Sequence, residues 1–112
     1  MEITIRAIGK CKILDCSGKL IFGSAPETLN TALREAVQDG TLKVVLNLRN
    51  VHDIDNKGIS TIIESFIYVK KLGGSLPLLN LTPKFHKILA ITKLLTVFDI
   101  FDDEQKALEG CE

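Results

Sequence analysis

Residues whose side chains could take part in chemistry are concentrated near the middle of the 112-residue chain. The stretch contains His52, Asp53, Asp55, Asn56 and Lys57. Asp53 and Asp55, with Glu64 further on, give a near match to the calcium-binding loop of EF-hand proteins. Lys57 would place an ammonium group where that loop needs an oxygen ligand, so we expect no metal site here.

Catalytic patterns are weak in the same stretch. A single pair, His52 beside Asp53, is too little for a catalytic dyad, and the sequence has no Gly-x-Ser-x-Gly, Walker or Gly-x-Gly-x-x-Gly motif. His86 is expected on the surface of a short helix. The simplest role for Asp55 or Asn56 is to cap a helix, and the alternative is a partner or ligand site at the positive end of that helix. We therefore predict a protein without enzymatic activity and without a cofactor.

Apolar periodicity and turn residues divide the chain into alternating strands and helices. The predicted order is ββαβαβαβα, which is typical of an α/β fold with parallel crossovers. We expect a mixed sheet of four to five strands, with helices mainly on one face. The predicted elements are a hairpin turning at Gly9-Lys10, a helix from about residue 24 to residue 40, a strand at 42–48, a loop at 49–58, a helix ending at Gly73-Gly74, a strand at 75–81, a short helix after Thr82-Pro83, a strand at 96–100 and a C-terminal helix.

The helix that follows the polar stretch shows one apolar stripe. Ile59, Ile62, Ile63, Phe66 and Ile67 recur at helical spacing and are predicted to pack on the sheet. The strand before it, residues 42–48, is nearly continuous in apolar character, as expected for a strand covered on both faces.

Composition limits the class of protein. The length and the 46% hydrophobic content predict one domain over residues 1–112. Fourteen basic residues balance fourteen acidic ones, which argues against a nucleic-acid binder. No apolar run reaches membrane-spanning length, so we expect no membrane insertion. Charge is uneven, because six acidic residues and one basic residue follow residue 98, whereas residues 1–98 carry thirteen basic and eight acidic residues.

Three cysteines are present, without metal-ligand spacing. Cys11 and Cys16 are an odd number of residues apart in one strand, so their side chains should lie on opposite faces and should not bridge. Cys111 falls near the chain end and is predicted to be a bystander. The count favours a reducing cytoplasm.

The order of elements, together with Val44-Val-Leu-Asn-Leu-Arg-Asn-Val-His-Asp-Ile-Asp-Asn-Lys-Gly-Ile59, resembles the STAS domain. This family includes bacterial anti-sigma factor antagonists and the cytoplasmic tails of sulfate transporters. Its members carry a hydrophobic strand ending in Asp-Leu-x-x-Val-x-x-Ile, then Asp-Ser-Ser-Gly-Leu, then an apolar helix ending in Gly-Gly. The matching positions here are Asn47-Leu48, Val51, Ile54, Asp55, Gly58, Ile59 and Gly73-Gly74.

The resemblance also implies a phosphorylation site that this chain has altered. In partner-switching members the second Ser of Asp-Ser-Ser-Gly is phosphorylated by an anti-sigma factor kinase. Asn56 and Lys57 stand in place of the two Ser residues, and Lys57 cannot accept phosphate from a Ser/Thr kinase. Ser60, in the first turn of the helix, is the candidate for a displaced phosphosite. Another family position differs, because Ile21 and Phe22 stand where antagonists often carry Asp.

The resemblance therefore implies a non-catalytic, cytoplasmic signalling module that binds proteins. The expected partner is an anti-sigma factor or serine kinase, with a serine phosphatase and a homodimer as further candidates. The expected binding surface is the motif loop and helix start, namely Asp53, Asp55, Asn56, Lys57, Gly58, Ile59 and Ser60. The alternative is an accessory subunit of an ABC-type membrane transporter.

Overall fold

Residues 1–111 form one five-stranded sheet flanked by four helices. The computed structural model describes residues 1–111, and Glu112, counted above in the acidic end, lies outside the described residues. The elements are β1 (Glu2–Ile8), β2 (Cys11–Leu20), α1 (Ala25–Val37), β3 (Lys43–Ile54), α2 (Asn56–Lys71), β4 (Leu78–Leu79), α3 (Pro83–Ile91), β5 (Ile100–Phe101) and α4 (Glu104–Ala107). This order confirms the predicted ββαβαβαβα pattern.

The sheet is mixed, as expected. Its strand order is β1-β2-β3-β4-β5. β1 runs antiparallel to β2 through the predicted turn, and every later pair of neighbouring strands is parallel. The carboxyl ends of β2 to β5 therefore lie along one edge, and the loops that follow these strands meet there.

The helices lie mainly on one face, which confirms that prediction. Buried residues of α1, α2 and α3 share one large core with the side chains of β2 and β3 that point to that face. On the opposite face, α4 covers a small cluster consisting of Ile13, Val45, Leu79 and Ala107. Strands covered on both sides explain why the sequence of β3 begins as a continuous apolar run.

β3 is longer than the sequence predicted. Residues 49–54, expected to be a loop, continue the strand, because their backbone keeps pairing with β2 as far as Leu20 opposite Ile54. Register shifts occur on the way, between Asp15 and Ser17 and again between Gly18 and Lys19. Arg49 and Asn50 are polar residues with exposed side chains, and their polarity led to the prediction of a loop in this part of the strand.

α2 is rotated relative to the predicted stripe. Ile62 is buried as expected, and Ile59, Ile63 and Phe66 are half-buried and pack against the core, whereas Ile67 is 47% exposed. The buried face of the helix instead consists of Gly58, Thr61, Ile62, Ser65 and Val69. The two hydroxyls can be buried because each donates to the carbonyl four residues earlier, at 2.8 Å.

The prediction that Cys111 is a bystander was wrong, and the inference of a reducing compartment from the cysteine count loses its basis. Cys111 is buried and forms a disulfide with Cys11, with 5.4 Å between their Cα atoms and a sequence separation of 100 residues. Cys16 is a buried free cysteine, which agrees with the expectation that it does not pair with Cys11. The disulfide joins the beginning of β2 to the segment after α4, and the amide of Lys10 donates to the carbonyl of Cys111 beside it.

The later strands are shorter than predicted. β4 covers only residues 78–79 of the expected 75–81, and the last strand covers 100–101 instead of 96–100. Pro77 precedes β4, so the strand itself does not need the missing amide, while the Pro77 carbonyl accepts a hydrogen bond from Leu46. The helix predicted after Thr82-Pro83 is confirmed, with the Thr82 hydroxyl accepting from the Phe85 amide.

Candidate functional site

Asp55 caps the amino terminus of α2 and connects it to a second loop. One carboxylate oxygen accepts from the amide of Gly58 and the other from the amide of Phe22, both at 2.9 Å. Hydrogen bonds from Phe22 and then from Gly58 hold the pKa of Asp55 below its ordinary value. The predicted capping role is therefore present, and the same side chain also fixes the segment between β2 and α1.

Gly58 lies in van der Waals contact with the end of β2. A β carbon at this position would come 2.0 Å from the Leu20 carbonyl oxygen and 2.8 Å from the Ile54 side chain. The same carbonyl accepts from the Asp55 amide at 3.4 Å. Only glycine lets the first turn of α2 approach β2 this closely, so the start of the helix and the end of the strand form one rigid unit.

Asp53 belongs to the end of β3 and not to a loop. Its carboxylate accepts from the Lys84 ammonium at 2.8 Å and from the Ile54 amide at 2.9 Å. The hydrogen bond from Lys84 is the main reason that the pKa of Asp53 is lowered. This exposed ion pair connects β3 to the first turn of α3 and contributes little to stability.

The predicted binding residues separate into a supporting set and an exposed set. Gly58 is buried, and Asp53, Asp55 and Ile59 are half-buried. The side chains that face solvent are Asn56, Lys57 and Ser60. Within residues 1–111, no carboxylate lies within ion-pair distance of Lys57, so its ammonium group is available to bind a partner protein.

Phe22 is a residue of this surface that sequence reasoning did not assign to it. Its amide is bonded to Asp55, and its side chain is 80% exposed. The available signal was the presence of Ile21 and Phe22 where related sequences often carry an acidic residue. Contact between residues 33 positions apart gives no periodic pattern, so only the folded chain brings Phe22 and Asp55 together.

A second polar cluster lies on the opposite face of the sheet. Arg6 donates to both Asp15 and Glu104, and Asn47 donates to Asp15. Partial burial raises the pKa of Asp15, but the hydrogen bonds from Arg6 and Asn47 outweigh burial and leave the pKa below its ordinary value. The cluster connects β1, β2 and β3 to α4, and we regard it as structural.

Neither a cluster of metal-ligating side chains nor a membrane-spanning helix is found in the described part of the chain. Residues 1–111 contain no group of three or more His, Cys, Asp or Glu side chains placed to hold a metal ion. Over the same residues, no helix is both long and apolar enough to cross a bilayer.

The fold and the capped helix start define an α/β protein whose candidate site is an exposed surface at the carboxyl ends of parallel strands. The model of the STAS domain family matches residues 2–107, and the chain therefore belongs to this family. This confirms the resemblance found from the sequence.

Curated relatives and solved structures agree with this assignment. The chain is similar to the anti-sigma F factor antagonist of Paenibacillus polymyxa, with 26% identity over 89% of this chain and 86% of the relative. It is 31% identical to the anti-sigma-B factor antagonist of Bacillus subtilis over 78% of each chain. Its fold matches that of a candidate anti-sigma factor antagonist from Thermotoga maritima, with a TM-score of 0.87, 20% identity and coverage of 97% of this chain and 93% of the other.

Proposed function

We propose that this STAS chain is a non-catalytic binding module of the anti-sigma factor antagonist type, acting in a partner-switching system in the cytoplasm. The observation that carries the proposal is the solvent-facing start of α2, where Asp55 and Gly58 connect the backbone that carries Lys57 and Ser60 to the β2–α1 segment and to β2. A preformed surface loses little conformational entropy when a partner docks, which favours binding.

The carboxylates of the site support binding and not catalysis. Both oxygens of Asp55 already accept backbone amides, and Asp53 is paired with Lys84. Hydrogen bonds of this kind stabilise the ionised form, so neither group is adapted to take a proton from a substrate. Their role in the proposal is to position the backbone that presents the exposed side chains.

An anti-sigma factor with kinase activity is the proposed partner, because two curated relatives are named as antagonists of anti-sigma factors. Lys57 occupies the position at which partner-switching members of the family carry the phosphorylated Ser. An exposed ammonium cannot be phosphorylated and has the opposite charge to a phosphate. We therefore propose that binding at the Lys57 position is constitutive. Ser60 is the proposed site at which a displaced phosphorylation switch and a serine phosphatase would act.

Titration of purified anti-sigma factors and ABC-transporter subunits from the source genome, one at a time by calorimetry, tests the proposal. We expect one of them to bind the wild-type chain, and Lys57→Glu to weaken that binding by about 1–3 kcal/mol through charge mismatch and desolvation. Lys71→Glu is the matched control, because Lys71 is exposed at the other end of the same helix. Wild-type affinity of Lys57→Glu would place the interface elsewhere, and binding only to a transporter subunit would favour the alternative function. The same titration, with light scattering, reports whether the chain forms a homodimer.

A further inference from the structure

Residues 104–111, here called the α4 segment, lie on the sheet face opposite to the three longer helices. The helix in this segment has four residues, and Ala107 packs in the small apolar cluster with Ile13, Val45 and Leu79. A single helical turn is not stable by itself, because nucleation of a helix costs more than its first hydrogen bond contributes. The position of the segment therefore depends on what attaches it to the sheet.

Two polar contacts attach the α4 segment. Glu104 accepts from Arg6 at 2.6 Å, and the two side chains are 41% and 36% exposed. The Lys43 ammonium donates to the Glu109 carbonyl at 3.2 Å, in an exposed position. Both contacts are non-covalent and reached by water, so they can break and form again without unfolding of the sheet.

The disulfide is the covalent attachment of the α4 segment. It joins Cys11, at the beginning of β2, to Cys111, and the two residues are 4% and 1% exposed. A cavity of about 380 Å³ borders Cys111 and Leu108. Among the described residues, neither cysteine belongs to the large core that α1, α2 and α3 share with the sheet. Local opening of the α4 segment would therefore expose the bond while that core stays intact.

The third cysteine does not compete for this bond. Cys16 packs in the large core on the helix-covered face, whereas Cys11 shares the face of Ile13, two residues further along β2. Burial raises the pKa of the Cys16 thiol to about 12, so little thiolate is present at neutral pH to attack a disulfide. Thiol–disulfide exchange within the chain is therefore confined to Cys11 and Cys111.

We propose that Cys11 and Cys111 form a reversible redox site that fastens the α4 segment to the sheet and is opened by a dithiol. A thiolate of the dithiol attacks one sulfur of the bond, which breaks and leaves a mixed disulfide and one cysteine thiol. The second thiol of the dithiol then displaces the other cysteine. Two electrons and two protons pass to the protein, and the dithiol becomes a disulfide. A small-molecule disulfide carries out the reverse reaction.

Reduction frees the α4 segment and uncovers Ile13, Val45 and Leu79. Disulfides of cytoplasmic proteins are usually catalytic or redox-sensing, because cellular dithiols keep other thiols reduced. The inference rests on the proposed function for this compartment alone. The bond lies near the beginning of β2 and β3, whereas Lys57 follows the carboxyl end of β3, so the experiment needs no partner protein.

The experiment measures hydrogen exchange of the full oxidised chain before and after native treatment with dithiothreitol. The amides of Ala107, Leu108 and Cys111 donate to backbone carbonyls and report on the segment. We expect alkylation and mass analysis to find two new thiols, and these amides to exchange about tenfold faster or more, while β2 and β3 remain protected. Oxidised glutathione should restore both the bond and the slow exchange.

Two variants serve as controls. Cys16→Ala retains the bond and should respond to dithiothreitol as the wild-type chain does. Cys111→Ser should show fast exchange in the α4 segment both with and without the reductant. Protection of β2 and β3 in each variant shows that the sheet is folded.

The outcomes separate this inference from the proposed function. A bond that dithiothreitol reduces only after denaturation would overturn the redox site. Two new thiols with unchanged exchange in the α4 segment, or with loss of protection in β2 and β3 as well, would overturn its role in fastening that segment. Each of these results leaves the proposed function standing. Failure of the wild-type chain to bind any anti-sigma factor would overturn the proposed function, while opening of the bond by dithiothreitol would still establish the redox site.

Discussion

Gly58 of α2 lies against the carbonyl of Leu20 at the end of β2, because a β carbon on Gly58 would lie 2.0 Å from the Leu20 carbonyl oxygen. Alanine favours helix by about 1 kcal/mol over glycine, but here its methyl group would meet backbone that cannot rotate away. We expect Gly58→Ala to lower the free energy of unfolding by about 1–3 kcal/mol in urea titrations. Ser60→Ala, exposed in the same turn, should change it by less than about 0.5 kcal/mol. A Gly58→Ala chain as stable as wild type would contradict the close approach.

Asp55 should make the stability of the protein depend on acidic pH. Its pKa lies below the ordinary 3.8 because the amides of Phe22 and Gly58 donate to the carboxylate. A group with a lowered pKa stabilises the fold fully above pH 3.8, and this contribution is lost as the pH falls through the lowered value. Asp55→Ala should therefore lower the melting temperature at neutral pH, and its difference from wild type should shrink in acid.

The control for this pH dependence is Asp99→Ala. The Asp99 side chain is exposed and accepts no hydrogen bond from the residues that the structure describes, although its backbone carbonyl pairs with Leu78. This substitution should leave the melting temperature close to that of wild type at neutral pH. A difference between Asp55→Ala and wild type that stays constant down to strongly acidic pH would show that the carboxylate charge is not involved.

The disulfide between Cys11 and Cys111 should contribute to stability by closing almost the whole chain into a loop. Cys111→Ser is expected to lower the free energy of unfolding by about 2–5 kcal/mol. Thiol titration in denaturant should find one free thiol in the oxidised chain and three after reduction. A reductant should destabilise the wild-type protein. It should not destabilise Cys111→Ser, which has no Cys11–Cys111 disulfide to reduce and is therefore the control. Three free thiols in the untreated protein would contradict the bridge.

The one free cysteine should be unreactive in the folded protein. Burial raises the pKa of the Cys16 thiol to about 12, and the charge of Asp15 adds to this effect, so the thiolate is scarce at neutral pH. In Cys111→Ser, where Cys11 is also free, alkylation under native conditions should modify Cys16 more slowly than Cys11. Equal rates would show that Cys16 is reached by solvent more easily than its 3% exposure indicates.

Phosphorylation should fail at the position that the family uses. With the partner anti-sigma factor and ATP, intact-mass and peptide analysis of the wild-type chain should show no phosphate on residues 53–58. Lys57→Ser restores a hydroxyl at an exposed position of the first helical turn, where free amides and the helix dipole favour an anion, and is expected to gain phosphate. Lys57→Ala is the control. Stoichiometric phosphate on Ser60 of the wild type would instead establish a displaced switch.

The sequence by itself determined the order of the strands and helices and the residues at which α2 begins and ends. Asp55 caps the helix through the amide of Gly58 three residues on, and Gly73-Gly74 follow its last turn, so capping rules and helical spacing were enough to predict where the helix begins and ends. The family could also be recognised, because the motif around Asp55 is continuous in the chain.

Only the tertiary structure decided which distant residues meet. Periodicity predicted that Ile62 of α2 is buried, but not that Thr61 and Ser65 lie on the buried face and Ile67 in water, because the close contact of Gly58 with β2 sets the rotation of the helix. The Phe22–Asp55 hydrogen bond spans 33 residues and the Cys11–Cys111 disulfide spans 100. Such contacts leave no local pattern, since they form only when strand pairing and core packing bring separate parts of the chain to the same place.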